Sequence, residues 1–139
     1  MALNRNLHSL KLMNRRASSV LISLLVAVIA FHGLVLLKII PYTIAWGGRL
    51  QSDMEMYVFE TISILINLLL ILLVCIKTGR VNSFLPMKAV NVILWFFCGV
   101  FVLNTIGNLF AQTIFEKFFA LLTALFAVLI GQVVRSENK

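Results

Sequence analysis

Residues 89–134 read AVNVILWFFCGVFVLNTIGNLFAQTIFEKFFALLTALFAVLIGQVV, and only Glu116 and Lys117 bring charge into them. A helix rises ~1.5 Å per residue, so one unbroken helix here would be about 70 Å long, over twice the ~30 Å of bilayer hydrocarbon. To stay within a membrane the stretch must turn, and Ala111-Gln112-Thr113 is the least apolar place to do so. Thr113-Ile114-Phe115-Glu116 follows the S/T-x-x-E capping-box pattern that opens a helix. The stretch is therefore read as two spans joined by a very short hairpin.

Two more apolar blocks precede it, which predicts four spans at about 17–40, 53–77, 87–111 and 114–135. Ser52-Asp53-Met54-Glu55 is a second capping box, opening the second span. Gly79 is placed as its C-terminal stop, and Pro86 suits the first turn of the third helix. Pro41, which lacks a backbone N–H, is expected to close the first span. The first block exceeds the ~7–15 apolar residues of a signal peptide and no A-x-A-like cleavage site follows it, so it reads as a retained span.

Composition agrees. The 139 residues are 61% hydrophobic and 12% charged, against about 25% charged in soluble domains, too few to build a polar shell. The fold class that follows is an all-α integral membrane protein, a four-transmembrane-helix bundle. Residues 1–16 form a basic amphipathic N-terminal segment, 17–135 the membrane domain and 136–139 a polar tail. In the segment, Leu3, Leu7 and Leu10 recur at helical spacing between Arg5, His8 and Lys11, as for a short helix lying on the inner leaflet.

Threading the chain through four spans sorts its charges. Arg5, Lys11, Arg15, Arg16, Lys77, Arg80, Lys88, Arg135 and Lys139 gather on one face with Glu137, nine bases against one acid, or +8. The other face holds Lys38, Arg49 and Lys117 against Asp53, Glu55, Glu60 and Glu116, or −1, and the two add to the net +7. Lys and Arg accumulate on cytoplasmic flanks, so both termini are expected in the cytoplasm of a multi-pass cell-membrane protein, the inner membrane if the cell is Gram-negative. The same bases would meet anionic lipid headgroups. They flank spans rather than striping a soluble element, which argues against nucleic acid.

The candidate site residues are Glu60, Asn104, Asn108, Arg49, His32 and Glu116, all in the outer half of the bundle. Glu60 lies a turn or two into the second span, where an ionisable group is costly unless it faces the bundle or a wet cavity; its rival reading is an interfacial carboxylate snorkelling outward. Asn104, Asn108 and Gln112 recur every fourth residue along one stripe, fitting interhelical glue or a cavity lining. Asn67 and Asn91 read as glue, and His32 as a relay or a histidine hydrogen-bonded in the bundle. Arg49, following Gly47-Gly48, is placed above Glu60 as a partner or anion clamp. Cys75 and Cys98, at different depths, are packing residues.

No H-E-x-x-H, C-x-x-C, G-x-S-x-G or phosphate-loop motif is present, so no metal, cofactor or catalytic residue is assigned and an enzyme is not expected. The expected function is small transport or channel activity around a membrane-embedded Glu, carried by a homo-oligomer. The alternatives are a partner, assembly or regulatory subunit of another membrane protein and, more weakly, a lipid- or quinone-binding membrane enzyme.

Overall fold

A computed structural model describes residues 2–43, 50–110 and 114–135, with side chains described outside 2–14 and 114–116. The described chain is helical: α1 Ala2–Leu36, α2 Asp53–Lys77, α3 Met87–Leu109 and α4 Ile114–Arg135. Each holds a stretch long and apolar enough to cross a membrane, Arg15–Leu36, Asp53–Lys77, Met87–Leu109 and Lys117–Arg135.

Local chemistry sets most boundaries. Ser52 caps α2, its hydroxyl accepting from Glu55 N–H at 3.2 Å, while the Glu55 carboxylate accepts from Gln51 N–H at 2.8 Å. At the other end Gly79 stands at φ 70°, the left-handed conformation of a helix stop, and Arg80 N–H folds back to Cys75 C=O at 2.8 Å. Pro86 sits at φ −60°, ψ 135° as the N-cap of α3, one residue outside the helix.

Two boundaries differ from the sequence reading. The amphipathic segment is not a separate helix: α1 runs unbroken through it, for 35 residues. At its far end α1 stops at Leu36, before Pro41 is reached. Lys38 takes a left-handed turn at φ 58°, with its N–H donating to Val35 C=O at 2.9 Å. A residue preceding proline disfavours helix, which keeps Ile40 out of it, but the stop itself is made by Lys38. The second capping box, at Thr113, lies outside the described residues.

The helices pack in ring order. α1 pairs with α2 and α3 with α4, while α1 against α4 and α2 against α3 join the two hairpins. Consecutive short-looped helices must run antiparallel, so α1 starts, α2 ends, α3 starts and α4 ends at one basic end. Most of the buried core lies in that half: Leu21, Leu25, Leu70, Val74, Leu94, Ile130 and Val133 form one cluster. A separate small cluster of Val35, Leu50 and Met56, with half-buried Tyr42 packed on it, closes the opposite, acidic end between α1 and α2.

Candidate functional site

Each helix turns one stripe inward, at the alternating three- and four-residue spacing of bundle helices. On α1 it runs Ser18, Leu21, Leu25, Val28, His32, Val35; on α2, read from the same basic end, Lys77, Val74, Leu70, Asn67, Ser63, Glu60, Met56. On α3 it runs Val90, Leu94, Phe97, Phe101, Thr105, Asn108. Above the outermost Ser18 and Lys77, all three stripes begin apolar. All three turn polar farther along, and α1 and α2 end apolar again at Val35 and Met56.

Packing changes where the chemistry does. Val90, Leu94 and Phe97 are buried, whereas Phe101, Thr105 and Asn108 are half-buried. On α2, Leu70 and Val74 are buried, while Asn67 and Ser63 are only half-buried. The bundle is closed at its basic half and more open in its acidic half.

Glu60 is the exception to that opening. Its side chain is fully buried and hydrogen-bonded to His32, with Nδ1–H of His32 donating to Glu60 Oε2. The proton's place on Nδ1 is an assignment from geometry. His32 is 15% exposed, so the pair is reached through the imidazole. Phe31 stands edge-on to that ring with centroids 5.8 Å apart, and also meets Phe119 of α4 at 6.1 Å. One face of the pair is thus apolar. Glu60 lies seven residues into α2, about 10 Å from its start at ~1.5 Å per residue. At that depth a carboxyl group is tolerated when a partner holds it.

A second ion pair lies farther out, between Lys38 Nζ and Asp53 Oδ2. Both side chains are about half-exposed, and Lys38 also lies over the Tyr57 ring at 5.7 Å. The hydrogen bond to Asp53 raises the Lys38 ammonium above its ordinary range. This pair ties the turn after α1 to the start of α2, above the Glu60–His32 pair.

Of the six residues singled out in the sequence, His32 and Glu60 come into direct contact. Asn108 is half-buried on the inward stripe of α3, whereas Asn104 is exposed. Arg49 and the side chain of Glu116 lie outside the described residues. Sequence reasoning singled out both His32 and Glu60 but did not pair them, because 28 residues separate them along the chain. It also passed over Ser63 and took Asn67 for glue. The signal was present: 60, 63 and 67 are spaced i, i+3, i+7 on one helix face. Asn67 Nδ2 in fact donates to Ser63 C=O of its own helix at 2.8 Å. Interhelical bonding does occur elsewhere, between Thr105 and Thr123 of α3 and α4 at 2.9 Å. Cys75 and Cys98 are free thiols, Cys98 Sγ reaching Ala127 C=O at 3.4 Å.

Among the described residues no group of three or more His, Cys, Asp or Glu side chains is arranged to hold a metal ion. The site therefore offers a carboxylate, an imidazole and several amides and hydroxyls, a set suited to binding a proton or a small cation. No protein-family model matches the chain, and neither a curated protein nor a solved structure matches it.

Proposed function

We propose that this chain is a small membrane transport protein in which Glu60, partnered by His32, binds a proton or small cation. In this reading the four helices cross a cell membrane with both termini in the cytoplasm and the acidic end outward. Two or more copies assemble, because four spans rarely enclose a pathway by themselves.

The observation that carries the proposal is the fully buried Glu60 held by a slightly exposed His32. A carboxylate–imidazole pair can hold a proton between its partners and pass it on, the role histidine takes in proton relays. Ser63, Asn67 and Asn108, half-buried in the same half of the bundle, add oxygen acceptors and support the reading. A purely structural pair would need no such acceptors in its half of the bundle.

The test is flux into liposomes containing the purified protein. Glu60→Gln should abolish pH-dependent cation or proton flux while the protein still folds and elutes at the wild-type size. His32→Gln should shift the pH dependence. Wild-type flux in Glu60→Gln at every pH would sink the proposal.

A second reading, as a subunit that packs on another membrane protein, draws on Phe96, Phe110 and Phe118, which are 68, 84 and 64% exposed. Purification in mild detergent separates the two. A protein recovered alone as a discrete homo-oligomer favours transport, and a fixed stoichiometric companion favours the subunit.

A further inference from the structure

At the basic end a lysine lies along the inside of the bundle with no described acid beside it. Lys77 is the last residue of α2's inward stripe and only 3% exposed. Among the described residues its ammonium has no hydrogen-bond or ion-pair partner, and it is not sealed off, so an anion at the end of the bundle can reach it.

The surroundings are built to receive an anion. Ser18 begins the inward stripe of α1 at the same end and is fully buried, its hydroxyl donating to Arg15 C=O at 3.0 Å. The turn at Gly79 folds Arg80 back toward α1, where Nη2 donates to Ser19 Oγ at 2.8 Å and Ser18 Oγ at 3.3 Å. Those serines hold one edge of the guanidinium without neutralising it. Arg15 and Arg16 follow on the exposed side of α1. The described acids Asp53, Glu55 and Glu60 all belong to the opposite end, and Glu137, the acid nearest in sequence, lies outside the described residues. An anion supplied by another molecule would balance these bases.

We propose that Lys77 and Arg80, set between α1 and α2 beside Ser18 and Ser19, form a phosphate site occupied by the headgroup of an anionic phospholipid. A planar guanidinium and a point-charge ammonium suit the oxygens of one phosphodiester. The depth suits it as well, because the end of a spanning helix lies at headgroup level. The inference rests on the same membrane placement as the transport reading but not on transport itself.

The experiment uses the full chain in mild detergent, with phosphatidylglycerol or phosphatidylcholine added, read by native mass spectrometry and by thermal unfolding. Wild-type protein should retain phosphatidylglycerol and be stabilised by it more than by phosphatidylcholine. Lys77→Met should weaken that retention about tenfold, the scale of one charge-assisted hydrogen bond, and Lys77→Arg should restore most of it. Should Lys77→Met fail to fold, Arg80→Gln carries the same expectation. Equal retention of the two lipids by wild type, or undiminished retention in both Lys77→Met and Arg80→Gln, would overturn the site. A stabilisation reproduced by millimolar inorganic phosphate would overturn the lipid assignment in favour of a soluble phosphate. Loss of flux in Glu60→Gln with lipid retention intact would separate the two proposals.

Discussion

At the scale of single residues, the acidic half of the bundle is defined by two ion pairs in contrasting environments. Glu60 is fully buried and His32 only 15% exposed, so removing one partner takes a hydrogen bond away from a shielded group. A double-mutant cycle of His32→Ala and Glu60→Gln, read by unfolding in detergent, should give a coupling of about 0.6–1.7 kcal/mol, the range found for polar pairs between membrane helices. A coupling indistinguishable from zero would mean that the contact contributes nothing. Lys38 and Asp53 are exposed and behave differently. Because Asp53 raises the Lys38 ammonium above 10.5, the pair's contribution is fully present below that value and fades as pH rises through the folded-state value. Wild type should therefore lose stability relative to Asp53→Asn above about pH 10.5 and show a constant difference from pH 7 to 9. A difference that changes between pH 7 and 9 would contradict the assignment. Ser52 and Glu55 were legible from spacing alone because a capping box is local. The His32–Glu60 contact was not, since 28 residues separate its partners and only helix packing brings them together.

At the scale of elements, the helix ends show where local chemistry suffices. Gly79 stands at φ 70° with nothing within 4 Å of the place a Cβ would occupy, so Gly79→Ala should cost only the backbone term, about 1–2 kcal/mol. Ser52→Ala should cost about 1 kcal/mol through the lost cap. Unfolding midpoints of the two variants check both, and a larger loss at Gly79 would reveal packing around the turn. Lys38 is the instructive contrast. Its left-handed turn ends α1 earlier than Pro41 would, and nothing in the identity of a lysine announces it. The contact with Asp53 helps hold the turn, and that contact exists only when α2 lies beside α1. The continuity of α1 through its basic N-terminal residues was likewise missed, because no breaker separates 2–14 from the span and charge alone does not end a helix.

At the scale of the whole molecule, the division between a closed basic half and a more open acidic half makes its own prediction. Cysteines placed at Asn104 and at Leu94, in a variant lacking the native thiols, should differ in labelling. The first should react with a membrane-impermeant maleimide added to the acidic side, and the second, fully buried, should not. Equal labelling would contradict that division. A reporter fused to the C-terminus should be active only on the cytoplasmic side, since the bases flanking the spans set orientation. Four helices long and apolar enough to span a membrane, their approximate limits and the separation of charge between the two ends were determined by the sequence itself, because hydropathy over ~20 residues and the placement of Lys and Arg are properties of the chain alone. Which residues meet inside the bundle was decided only by the tertiary structure. Each helix could rotate about its axis with little change in hydropathy, and burial on one chosen stripe is what pairs Glu60 with His32 and turns Lys77 inward.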